Sequence, residues 1–164
     1  MTRIVLLSSV ACVMSLGLAA HAEELPKRKA GLWESTVTGS TLPAPQVIKQ
    51  CIDDKTDSLA QSAAMGGGNC KQTRLEKTSA GYEIDAACQM GQMSSTAKSV
   101  ISGDFSSKIT AKISSSVVMA QGQPPVTSTT TVEAKYVGPC AADQKPGDII
   151  MPDGKVVRTP GTTK

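Results

Sequence analysis

The clearest periodicity in the chain lies in "FSSKITAKISSSVVM", residues 105–119. Phe105, Ile109, Ala111, Ile113, Val117 and Met119 take odd positions, while Ser106, Lys108, Thr110, Lys112, Ser114 and Ser116 fill the alternate ones. A period of two over about fifteen residues predicts a strand with one dry and one wet face. Residues 93–102 pair with it as a hairpin through the turn "SGD". That turn sets Ile101 opposite Phe105, Ala97 opposite Ile109 and Met93 opposite Ile113, so apolar residues meet throughout.

The same reasoning places further strands. In "AGLWESTVTGS", Trp33, Ser35 and Val37 share one face, and Leu32, Glu34, Thr36 and Thr38 the other. In "VTSTTTVEAKY", Val126, Val132, Ala134 and Tyr136 face inward, and the threonines favour a strand over a helix. Residues 70–77 and 82–89 form another hairpin around "TSAG". "TLPAPQVIKQCI" reads as a Pro-containing loop leading to Cys51, and "EELPKRK" as a flexible lead-in. "DDKTDSLAQSAAM" reads as a short surface helix, with N-cap oxygens from Asp53 and Asp54 and a stop at "GGG".

The two ends differ from this middle. "MTR", the apolar run "IVLLSSVACVMSLGLAA" and "AHA" have the layout of an export signal, with cleavage expected after Ala22. Residues 23–140 then form a single β-rich domain. Residues 141–164 are a Pro/Gly-rich extension in which "DIIM" and "KVV" offer a short hairpin around the "MPDG" turn. Export places the mature protein in the periplasm, with no transmembrane segment left after cleavage.

An oxidising compartment changes the meaning of the cysteines. Cys51, Cys70, Cys88 and Cys140 remain after processing, an even number that allows three pairings. A turn centred on Ser79 sets Cys70 opposite Cys88, within bridging reach. The same register sets Ile84 opposite Arg74 rather than Leu75, so a bulge or a one-residue slip is needed to satisfy both. The other two, Cys51 and Cys140, would then join the early loop to the end of the last long strand. Gaps of 18, 17 and 51 residues, without any C-x-x-C, do not suit a four-thiolate zinc site.

Charge and composition exclude further chemistry. The leader removes Arg3, leaving 16 basic against 14 acidic side chains with no basic run, which is no footprint for nucleic acid. The only histidine, His21, also leaves with the leader, and with it go histidine-activated nucleophiles and imidazole metal sites. "CQMGQMSS" collects soft sulfur, but an oxidised Cys88 is no copper ligand, and Met93 and Met119 are expected on inward faces as packing. "MGGGN" follows a predicted helix and stops it instead of opening one over a phosphate. Asp53, Asp54 and Asp57 lack a calcium loop and read as a solvated helix start. Glu83 and Asp85 read as exposed polar residues on one strand face.

Several residues together resemble a known family. "KAGLWE", Cys51 ahead of a helix, "C-x-M" at Cys88, the "GDF" turn (Gly103, Asp104, Phe105) and the closing "YVGPC" look like the exported bacterial family called domain of unknown function 3617. The resemblance spans roughly residues 29–154. It implies a small envelope protein and supplies no catalytic residues, cofactor or metal. The chain departs from the family pattern at Lys135, where an arginine near Tyr136 is expected.

The expected fold is mainly β: about six antiparallel strands curved into a half-barrel, with one short helix and two disulfides. The expected role is non-enzymatic, as a monomer that binds a small apolar ligand or a protein partner in the concave face, with Trp33 and Tyr136 lining it. The alternative is a structural or stress-related envelope protein that acts through an edge strand or the 141–164 tail.

Overall fold

The computed structural model describes residues 24–57, 59 and 69–158. The expected leader, most of the expected helix and the "MGGG" stretch lie outside these residues. One antiparallel sheet organises the chain: β1 (Gly31–Gly39), β2 (Gln46–Ile52), β3 (Cys70–Thr78), β4 (Gly81–Met90), β5 (Met93–Gly103), β6 (Lys108–Val118), β7 (Val126–Gly138), β8 (Asp148–Ile150) and β9 (Val156–Arg158). Their spatial order is β3-β4-β5-β6-β7-β1-β2-β8-β9, and β3 and β9 each pair on one side only among the described residues, so the sheet is not closed. It is mainly β and antiparallel, as the alternation predicts, with nine strands among the described residues where about six were expected.

The three additional strands have local causes. β2 was expected as loop because of Pro43 and Pro45. Pairing with β1 sets Gln50 against Trp33 and Ile48 against Ser35, so Ile48, Gln50 and Ile52 share the inner face. Pro43 and Pro45 sit in the turn before β2, where no ladder N–H is required. β8 then pairs with β2, and β9 with β8, so the extension's hairpin continues the same sheet.

The β5–β6 register differs from the expected one by six residues: Ile101 faces Ala111 rather than Phe105, and Ser99 faces Ile113. An even shift leaves every side chain on its expected face. The cause is a wider turn. The Asp104 carboxylate accepts hydrogen bonds from the backbone N–H groups of Ser106 (2.8 Å), Ser107 (2.6 Å) and Lys108 (3.1 Å) and from the Ser107 hydroxyl. These bonds hold the carboxyl well below the usual carboxylate range, the Ser107 hydroxyl contributing most. Phe105, at φ 59°, leaves the strand and turns into the core, edge-on to Tyr82 at 5.7 Å. Met119 is a second departure: it lies beyond β6 and is exposed.

The β3–β4 hairpin meets both conflicting demands through a bulge. Cys70 faces Cys88 and Leu75 faces Ile84, with a register shift between Gln72 and Arg74. Both disulfides are present. Cys70–Cys88 joins neighbouring strands at a Cα separation of 4.0 Å, and Cys51–Cys140 reaches from β2 to the residue two past β7, at 5.6 Å.

The core lies on the inner face. Trp33, Ile52, Ile84, Ile101, Phe105 and Ile109 pack there with Ala111 and Ala134. The sheet must curl to achieve this. Ile101 on β5 and Ile48 on β2 border one small cavity, yet four strand spacings would separate them by about 19 Å in a flat sheet.

Candidate functional site

Trp33 and Tyr136 meet edge-on with ring centroids 6.0 Å apart. Trp33 is fully buried, and its indole N–H donates to the Lys29 carbonyl at 2.8 Å. The backbone N–H of Lys29 donates to the Phe105 carbonyl, and that of Tyr136 to the Ser107 carbonyl, both at 2.8 Å. The Lys29 ammonium lies 4.2 Å from the Tyr136 ring centroid. The lead-in, the start of β1, the 104–107 turn and the end of β7 are thus knitted into one end of the cup. Gly31 is required there: at φ 138°, a Cβ would lie 2.6 Å from the Gly138 carbonyl oxygen. Trp33 and Tyr136 floor this end, and neither borders the cavity beside it.

That cavity has a volume of about 170 Å³. Ile101, Ile109, Ala111, Ile113, Val132 and Ala134 form its apolar wall, and β1 and β2 add Ser35, Val37, Ile48 and Gln50. Arg28 and Leu59 complete the lining from outside the sheet.

Arg28 and Asp57 are the residues that sequence reasoning missed. Arg28 falls in the expected flexible lead-in and Asp57 in the expected solvated helix start, yet their side chains are 3% and 2% exposed. Asp57 accepts from the Arg28 backbone N–H (2.7 Å), Nε (3.0 Å) and Nη2 (2.8 Å). Arg28 Nη1 turns to Gln50 Oε1 at 3.3 Å, and the guanidinium lies 5.6 Å from the Trp33 ring centroid. Asp53 fixes the intervening turn, accepting from the backbone N–H groups of Lys55 and Thr56 and from the Thr56 hydroxyl. A lone arginine in a charged run gives no sign of its partner 29 residues away.

The outer face is polar, and the cleft of about 650 Å³ across β3–β7 there is more open and lined mainly by hydroxyl and charged residues, among them Thr73, Asp85, Thr96, Lys98, Ser114 and Thr129. Glu34 lies between Lys135 (2.9 Å) and Lys49 (3.5 Å), and the Lys135 hydrogen bond holds its carboxyl below the usual range. Lys135 therefore serves Glu34 of "GLWE" directly across the β1–β7 ladder. Glu83 and Asp85 share Arg74 at 3.2 and 3.7 Å. Among the described residues, no group of three or more His, Cys, Asp and Glu is placed to hold a metal ion. No helix among them is long and apolar enough to cross a membrane.

A family model described as a protein of unknown function (DUF3617) matches residues 28–140. The chain belongs to this family. No curated protein and no solved structure matches it. The DUF3617 match begins at Arg28, half of the buried ion pair, and ends at Cys140, half of the longer disulfide. Both lock the sheet's inner cup, and the β8–β9 hairpin lies beyond the DUF3617 segment.

Proposed function

We propose that this DUF3617 protein is an exported, non-enzymatic periplasmic protein that binds a small apolar ligand in the concave face of its sheet. The cavity of about 170 Å³, apolar on three strands and bordered by Arg28, which pairs with Asp57, carries this reading. Side chains normally fill such a sheet face; here the small residues Ala111, Ala134 and Ser35 leave room. The absence of histidine after Ala22 supports a binding role over histidine-based catalysis.

Native mass spectrometry of protein taken from the periplasm tests the reading. The expected spectrum shows a chain beginning at Glu23, two disulfides and a small bound molecule. A chain that keeps its leader, or one that neither retains nor takes up any small apolar compound, contradicts it.

A second reading has its own support. β9 ends the sheet as a three-residue edge with Val156 and Val157 exposed, outside the family-matched segment. An envelope partner could pair along that edge. Loss of one specific partner when residues 141–164 are deleted, with cavity binding intact, would favour it.

A further inference from the structure

Among the described residues that border the cavity, Ser35 carries the hydroxyl. Its residue is 7% exposed, its side chain borders the cavity, and it makes no hydrogen bond among the described residues. Its ladder neighbours on the two sides are Ile48 and Ala134, which offer no side-chain acceptor. No fully buried side-chain polar atom among the described residues lacks a partner, so this hydroxyl opens onto the cavity space, where water can satisfy it. A ligand that fills the cavity displaces that water, and a ligand oxygen placed against the hydroxyl replaces the bond that a purely apolar ligand would leave unmade.

The charge at the cavity is already neutralised. Arg28 directs Nε and Nη2 to Asp57 Oδ1 and Nη1 to Gln50 Oε1. An anionic ligand would bring a second negative charge beside Asp57, and among the described residues that line the cavity Arg28 is the cation and is already paired. The volume resembles that of an engineered apolar cavity of about 150 Å³ that holds benzene.

We propose that the cavity binds an uncharged molecule of single-ring size with one hydrogen-bonding oxygen, a phenol or ring alcohol, and that Ser35 Oγ is the partner of that oxygen. This rests on the reading of the cavity as a ligand site, and it adds the class of ligand.

Titrations of the mature protein with phenol, toluene and benzoate test it, followed by NMR of the wild type, Ser35→Ala and Ser35→Thr. Phenol is expected to bind about 3- to 10-fold more tightly than toluene, the usual worth of one hydrogen bond. Benzoate is expected to bind most weakly. Ser35→Ala should erase the preference for phenol while leaving toluene affinity within about twofold, and Ser35→Thr should retain it. Without ligand, Ser35→Ala should melt no lower than the wild type, because no bond within the protein is lost. Equal binding of phenol and toluene, tighter binding of benzoate, or a preference that survives Ser35→Ala overturns the ligand class while leaving the cavity reading intact. Failure of both phenol and toluene to bind, with the cavity holding water only, overturns both.

Discussion

Arg28 and Asp57 form an ion pair shut away from solvent, with three hydrogen bonds between one arginine and one carboxylate. The pair anchors the lead-in and the 53–57 turn over the inner face. Breaking it on one side leaves a buried charge unpaired. Arg28→Met or Asp57→Asn is expected to cost about 3–5 kcal/mol, and the double replacement less than the two single costs together. Urea unfolding of the four proteins in a double-mutant cycle checks this.

Gly103 and Gly91 both have positive φ, at 131° and 61°, yet only Gly103 is crowded. A Cβ on Gly103 would lie 2.2 Å from the Lys108 carbonyl oxygen, whereas one on Gly91 meets nothing within 4 Å. Gly91→Ala should cost about 1–2 kcal/mol, the left-handed penalty alone. Gly103→Ala should cost clearly more, since the 104–107 turn must shift and take Phe105 with it. Thermal melts of the two variants, side by side, show the difference.

The disulfides differ in the chain they enclose. Cys51 and Cys140 are separated by 89 residues, Cys70 and Cys88 by 18. The chain-entropy relation gives about 4.5 kcal/mol for the first and about 3 kcal/mol for the second. Replacing Cys51 and Cys140 together by alanine should therefore lower the denaturation midpoint more than replacing Cys70 and Cys88. Guanidinium unfolding of the two double variants decides it.

Acid should act through Asp104 and Asp148. The Ser107 hydroxyl and the turn's N–H groups hold Asp104 below its usual range; Arg158, then the Lys145 N–H, do the same for Asp148. A carboxyl depressed in the folded state contributes stability that is fully present above its unfolded value of about 3.9, and that is lost as pH falls through the folded value. The melting temperature is expected to hold between about pH 7 and 5 and to fall below about pH 4. Asp104→Asn should melt lower at neutral pH and show a shallower fall in acid.

The faces of the strands were legible in the sequence, and the contacts at their ends were not. Alternation assigns Ile109, Ala111 and Ile113 to the inner face, and that assignment survives a six-residue error in register because the error is even. Nothing in the period reveals that Asp104 gathers three backbone N–H groups and moves Phe105 out of its strand. The conflict within the first hairpin was visible as a demand for one extra residue, and Thr73 is that residue. β2 was hidden because Pro43 and Pro45 read as loop, although the strand starts just past them at Gln46 and its inner Gln50 joins the Arg28 network. Trp33 and Tyr136 stood out as rare aromatics, but their size makes them floor instead of cavity wall. The cavity beside them comes from Ser35, Ala111 and Ala134, small residues that no composition argument singles out.

The most direct test of the central claim is a titration of the mature protein with toluene, followed through the methyl resonances of Ile101, Ile109, Ile113 and Val132, which border the cavity. Saturable shifts confined to these methyls and their neighbours are expected, absent in an Ala111→Leu variant that fills the space and still gives a folded spectrum. Shifts that grow linearly without saturation, or that gather at the exposed Val156 and Val157 instead, would contradict it.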